Sequence, residues 1–150
     1  MNYGQIITDA VKDVFSTMLM MEVTPHPPCS DSLLSVPAGA SGMLGFSGDV
    51  AGMLTIHCPQ AVAISITCGF LGMEVAEIDE DVKDAISELV NMVTGGLKDS
   101  LAKQQRDIKL AIPTTIAGRS FRITSKSDVG QLCLPFDMEA GRFYVELKYK

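Results

Sequence analysis

Between Asp79 and Lys103 the apolar residues Val82, Ile86, Leu89, Val93 and Leu97 recur at three- and four-residue steps, the period of one face of an α-helix. A helix patterned this way draws most of its stability from packing that face, so the rest of the chain must supply a surface for it. Asp79 suits the N-cap, and Glu80 and Asp81 fall in the first turn, where the helix dipole favours negative charge. The helix is expected to reach Lys103 or beyond. On the side away from the apolar stripe, Asp84, Glu88, Asn91 and Gly95 lie within about 60° of one another at ~100° per residue. Glu88 and Asn91, three residues apart, project together into solvent with a side-chain-free patch one turn further on. Each of Gly95 and Gly96 costs an internal helix position roughly 1 kcal/mol relative to alanine. Two uses would justify that cost. Packing against a sheet suits Gly96, near the core-side edge, and close approach of another surface suits Gly95.

The remaining segments supply the sheet and two further helices. Ile6, Ile7, Ala10, Val11, Val14, Phe15, Met18 and Leu19 mark a first helix from about Asn2 to Met21, with Asp9, Lys12, Asp13 and Ser16 opposite. "TPHPPCSDS" breaks helix and central strand alike, because proline lacks the amide donor, and is expected to be a loop. "GMLGFSGDVAGMLTIHC" reads as a hairpin turning around Ser47-Gly48-Asp49, with Val50 to Cys58 as its second strand. Gly42, Gly45 and Gly52 are expected to thin one of its faces for a packed helix. No Lys follows at phosphate-loop spacing, which argues against a phosphate cradle. Pro59 is placed to start a second helix running to about Leu71 and ending near Gly72. From "IKLAIPTTIAG" onward, "SFRIT", "GQLCLPF" and "RFYVELKYK" alternate apolar and polar residues, punctuated by Gly118, Gly130 and Gly141. Phe143, Val145, Leu147 and Tyr149 fall on one face of the last strand, Glu146, Lys148 and Lys150 on the other. The order helix, hairpin, helix, helix, strands predicts an α+β fold with helices laid on a largely antiparallel sheet. It hints at a half-repeat, with no residue-level repeat behind it.

At 150 residues the chain is expected to be one domain, 1–150. A formal charge of −6 opposes binding to a phosphate backbone, so nucleic acid is not an expected partner. The N-terminus lacks a basic region followed by an unbroken apolar stretch, and "AVAISITCGFLGM" is shorter than the ~20 residues of a membrane-spanning helix, so a cytoplasmic location is expected, with no membrane partner. Cys29, Cys58, Cys68 and Cys133 form no CxxC pair and are expected to be reduced thiols packed as small hydrophobes. A metal site would lean on His26 and Cys29 with His57 and Cys58. Two prolines stiffen the first pair and adjacent strand residues point to opposite faces in the second, so none is expected. No Ser-His-Asp set or paired buried carboxylates can be found in the linear order.

"DAISELVNMVTGGLKDSLAKQQRDIKLAIP" resembles the signature segment of the CheC/CheX/FliY chemotaxis phosphatases: Asp or Ser, three residues, Glu, two residues, Asn, and a Pro further on. Asp84, Glu88 and Asn91 match in register, and Pro113 stands one residue short of the usual spacing. Two-site members also carry Glu-x-x-Asn on the first helix; "DAVKDVFSTM" has none, so a single-site CheX-like protein is the nearer match. The resemblance implies as substrate the aspartyl phosphate of a CheY-type receiver domain, with Mg²⁺ held by the receiver and no cofactor bound by this chain. It implies that Asn91 orients the attacking water and that Glu88 pairs with the receiver's active-site Lys, with Asp84 and Gly95 at the docking surface. It further implies a homodimer, for which the C-terminal strands would offer an edge. Two rivals stay open: a scaffold that docks a signalling partner without hydrolysing anything, and a small-molecule sensor with a pocket between hairpin and helix.

Overall fold

The computed structural model describes residues 2–29, 33–124 and 130–150, with the backbone alone for 33–38 and 119–124. Helix α1 (Tyr3–Val14) is capped by Asn2, whose side chain accepts from the Gln5 amide at 3.0 Å, and continues as a π-helical turn, Phe15–Leu19. Met20, in the left-handed region at φ 55°, ends it just short of the expected Met21. Two side-chain hydrogen bonds accompany the widened turn. The Ser16 and Thr17 hydroxyls both donate to the Asp13 carbonyl, at 3.2 and 2.7 Å, in competition with the helical ladder.

Strand β1 (Thr24–Pro25) is short and pairs with β6 at a sheet edge, so the segment expected to be all loop adds two residues to the sheet. An edge is where proline is tolerated. Residues 30–32 of that loop lie outside the described residues. β2 (Leu33–Gly48) and β3 (Gly52–Pro59) form the hairpin, α2 (Gln60–Leu71) follows with Pro59 as N-cap and Gly72 as a left-handed C-cap, and α3 spans Glu80–Ala102. β4 (Ile108–Leu110), β5 (Thr114–Thr124), β6 (Gly130–Met138) and β7 (Gly141–Tyr149) complete the chain. Gly118 does not punctuate the strands as expected; it lies inside β5 opposite Gly39.

All pairings are antiparallel, in the order β1-β6-β7-β3-β2-β4, with β5 also on β2. If β1 is exchanged with β5, β2 with β6 and β3 with β7, the order β1-β6-β7-β3-β2-β5 reads the same from the other end. This is the half-repeat as topology: one helix and three strands, twice, with α2 between the halves and the short β4 as an addition to the second. β7 is thus internal and offers no edge; among the described residues the open edges belong to β4 and β5 on one side and to β1 and β6 on the other.

One face of the sheet carries Leu44, Phe46, Leu54, Ile56, Phe136, Phe143, Val145 and Leu147, all buried beneath the three helices. Phe15 stacks on Phe143 at 5.2 Å between ring centroids, and Phe136 on Phe143 at 5.3 Å. A Cβ on Gly42 would lie 2.9 Å from Ile86 Cγ2, so this glycine lets α3 sit close to the sheet. Gly45 belongs to the other face by strand alternation, and Gly52 is crowded by the β7 backbone at Lys148 instead of by a helix. Gly96 has a different partner from the expected sheet: a Cβ there would stand 2.8 Å from the Ala10 Cβ, so it is where α1 and α3 touch.

Candidate functional site

The N-terminus of α3 is fixed as its sequence demands, the Asp79 side chain accepting from the Val82 amide at 3.1 Å while Glu80 and Asp81 occupy the first turn. Val82, Ile86, Leu89, Val93 and Leu97 are fully buried. Asp84, Glu88 and Asn91 are consequently exposed, and nothing lies within 4 Å of where a Cβ on Gly95 would be. No hydrogen bond or ion pair among the described residues engages the side chain of Glu88 or Asn91. The structure therefore brings together all four residues singled out on this helix face: two carboxylates, an amide and a bare turn, on a helix about 35 Å long at 1.5 Å per residue. The backbone beneath is rigid because the opposite face is core, while the polar side chains are free to meet a partner.

One restraint on this stripe has no linear signature. Ser87, next to Glu88, shares a 2.6 Å hydrogen bond with Thr115 of β5, which pins the helix sideways against the strand. The loop just before that strand carries Ile112, 87% exposed, and Pro113. The spacing on α3 alone says nothing of either.

Competing constellations fall away on geometry. Ser41 Oγ and His57 Nδ1 are 2.7 Å apart and His57 Nε2 lies 3.8 Å from Glu146 Oε1, a Ser-His-Glu line on the sheet face turned away from the helices. It was invisible in linear order because three strands contribute one residue each. Ser41 is 0% exposed, so no substrate reaches its hydroxyl. His57 and Cys58 point to opposite faces, Cys58 into the core, where burial pushes its thiol up to about 12. His26 Nε2–H donates to Asp137 Oδ2 at 2.7 Å, and the Arg142 guanidinium donates to both oxygens of the same carboxylate at 2.7 and 3.1 Å. Those bonds, Arg142 first, hold Asp137 down to about 2. Cys29 and Cys133, distant in sequence, are neighbours: the Cys29 amide donates to the Cys133 carbonyl at 2.9 Å, and burial first, then the Cys29 thiol, raises the Cys133 thiol. All four cysteines are free thiols. Among the described residues no three His, Cys, Asp or Glu side chains are grouped to hold a metal ion, and no helix is long and apolar enough to cross a membrane.

Between the hairpin and α3, where the rival sensor reading would put a pocket, Gly42 and Ile86 approach so closely that a Cβ on the glycine would stand 2.9 Å from Ile86 Cγ2. A cleft of about 500 Å³ lies elsewhere, between the end of the π-turn (Met20, Met21, Glu22) and the β6–β7 turn (Asp137, Met138, Glu139). No residue of α3 lines it.

Three helices on one face of a seven-stranded antiparallel sheet, with a polar stripe exposed on the longest, define a CheC-like α+β protein. The chain belongs to the family described as chemotaxis phosphatase CheX, whose profile matches residues 40–137. It is 26% identical over 126 residues, 81% of each chain, to the CheY-P phosphatase CheX of Thermotoga maritima. Among solved structures it resembles a CheC-like superfamily protein from Shewanella sp. PV-4, at 32% identity and TM-score 0.88 over 100% of this chain and 99% of that one. The CheX of a CheX–CheY–BeF3–Mg²⁺ complex from Borrelia burgdorferi shares the fold at 19% identity, with TM-score 0.79 over 99% and 98% of the chains.

Proposed function

We propose that this chain hydrolyses the aspartyl phosphate of a CheY-type receiver domain, using Asn91 to orient the attacking water and Glu88 to dock on the receiver's active-site lysine. The observation that carries it is the exposed Glu88-x-x-Asn91 pair, whose side chains bond to none of the described residues, on a helix whose other face is core. The relative named a CheY-P phosphatase and the solved CheX–CheY complex support the choice of partner.

The chemistry fits what the stripe offers. Water attacks phosphorus in line, the bond from phosphorus to the aspartyl oxygen breaks, and the carboxylate leaves as inorganic phosphate forms, a water proton passing to a phosphate oxygen. Such a transfer asks for positioning and charge stabilisation, and no nucleophile from the protein. The Asn91 amide can accept from water through its oxygen and donate through its nitrogen without changing protonation. Mg²⁺ is assigned to the receiver, where it neutralises phosphate charge. Asp84 and the bare turn at Gly95 form the flank against which the receiver sits.

The test is phosphate release from a phosphorylated CheY-type receiver in Mg²⁺ with wild type, Asn91→Ala and Glu88→Ala. Acceleration by wild type, lost in a folded Asn91→Ala, is the expected result. A receiver that binds but is never dephosphorylated would favour the scaffold. We also propose that two copies pair through a sheet edge, with the open side of β5 as the candidate; a monomer by light scattering across micromolar concentrations would refute it.

A further inference from the structure

The segment joining β4 to β5 contains one residue more than the strand it faces. Leu110 pairs with Phe46 and Thr114 with Met43, and the Ala111 amide donates to the Gly45 carbonyl at 2.9 Å, so Ile112 and Pro113 together stand opposite Leu44. That is a bulge, and Pro113 has no amide to return to the ladder. The displaced Ile112 is 87% exposed, more than Met20 at 82% or any other large apolar side chain described.

Its position relative to the α3 stripe follows from the anchors at each end. Ile86 packs on Gly42, and the chain leaving α3 enters β4 with Ile108 opposite Gly48, so α3 and β2 run alongside one another in the same sense. Two strand residues, Gly42 to Leu44, advance about 6.6 Å, the rise of four to five helical residues. The bulge opposite Leu44 is therefore level with Val90 and Asn91. Ser87, pinned to Thr115, lies about 40° around the helix from Asn91, so β5 and its leading loop flank the Asn91 side of the stripe.

A lone exposed apolar residue on a protein surface is ordinary. This one stands beside an exposed polar pair whose side chains form no hydrogen bond or ion pair among the described residues, and a helical turn kept bare, at a bulge that holds it clear of the sheet. We infer that Ile112 is an apolar anchor for the receiver domain that docks on Glu88 and Asn91, burying its side chain in a depression beside the receiver's phosphorylation site and so selecting which receivers are accepted. This rests on the function proposed above. Glu88 and Asn91 meet groups common to any phosphorylated receiver, and a hydrophobic contact at the rim is where one receiver can differ from another.

The experiment compares wild type, Ile112→Ala and Ile112→Leu in steady-state phosphate release as receiver concentration is varied, together with binding of the receiver loaded with beryllofluoride and Mg²⁺. Ile112→Ala is expected to raise KM and Kd about tenfold and leave kcat within twofold, while Ile112→Leu stays near wild type. Because the side chain is solvated in the free protein, the fold is indifferent to either change. An active wild type whose KM and Kd are unmoved by Ile112→Ala overturns the anchor and spares the phosphatase. A wild type that binds without hydrolysing removes the phosphatase activity, and the Kd ratio then decides the anchor alone. A wild type that neither binds nor hydrolyses overturns both.

Discussion

The two halves of the sheet are each led by a helix, and the two helices carry the same spacing on their solvent faces: Asp84, Glu88, Asn91 on α3 and Asp9, Asp13, Ser16 on α1, all exposed. The resemblance ends at the chemistry. Where α3 offers an amide, α1 offers a hydroxyl that donates to the Asp13 carbonyl of its own helix. Where Gly95 leaves the next turn of α3 bare, the residue four beyond Ser16 is Met20, 82% exposed and in the left-handed region. The α1 face ends in a π-turn, whereas α3 continues without interruption to Ala102. Equal spacing of polar residues is thus compatible with two different surfaces, and three features separate them: an amide, a longer acidic arm and an unobstructed turn.

If that contrast is functional, Asn91→Ala should cost the most, on the order of 10²-fold or more in kcat for receiver dephosphorylation, with thermal stability unchanged because the side chain is exposed and bonds to none of the described residues. Ser16→Ala in the same assay should leave kcat at the wild-type value; a comparable loss would place chemistry on α1 and erase the distinction.

The adjacent glycines give an internal control. Gly96→Ala drives a Cβ to 2.8 Å from Ala10 and should destabilise by about 1–3 kcal/mol in urea unfolding, as overpacking does. Gly95→Ala meets open space and should stabilise by roughly 0.5–1 kcal/mol, while raising KM for the receiver several-fold. Opposite signs in stability from neighbouring positions would show that the bare turn is not a packing feature. If Gly95→Ala instead leaves KM alone, the patch has no part in docking.

Rebuilding α1 asks whether the three features suffice. In an Asn91→Ala background, Asp13→Glu with Ser16→Asn should restore no measurable hydrolysis while Met20 projects over the next turn. Adding Met20→Gly, at a φ that glycine adopts freely, should restore a small fraction of it. Recovery before Met20 is changed would mean that obstruction is unimportant.

The smallest effect concerns the edge where the halves meet through β1 and β6. Asp137 has its pKa lowered from 3.8 to about 2, chiefly by Arg142 and then His26. Its contribution is therefore present above pH 3.8 and is lost as pH falls through about 2. Asp137→Asn should flatten that interval of an acid-unfolding curve and leave the neutral-pH phosphatase rate intact.

Much of this was legible from local chemistry. Asp79 caps α3 and Gly72 closes α2, because such signals act within four residues and need no tertiary partner. β2 was visible only from about Gly42 onward. Its earlier half contains Pro37, which has no amide for the ladder, and Gly39, which faces Gly118 across the pair. Residues poor in strand propensity are held there by a close approach: a Cβ on Gly39 would lie against the Cys58 carbonyl. The π-turn could not be read at all, since the apolar residues through Phe15, Met18 and Leu19 keep the ordinary helical spacing. Of the site, the α3 stripe was legible because helical spacing places it unaided. The Ser87–Thr115 pin and the Ile112 bulge arise from register between elements 28 residues apart, where no short-range pattern reaches.

The stripe on α3 is convex. A small molecule binds tightly by burying most of its surface in a concavity, and a helix flank with a missing side chain offers none, the 500 Å³ cleft being elsewhere. Pharmacological blockade of this surface would therefore call for something protein-sized, a minibinder or a stapled helix that grips several turns at once, and screening libraries of drug-like compounds against it should return little.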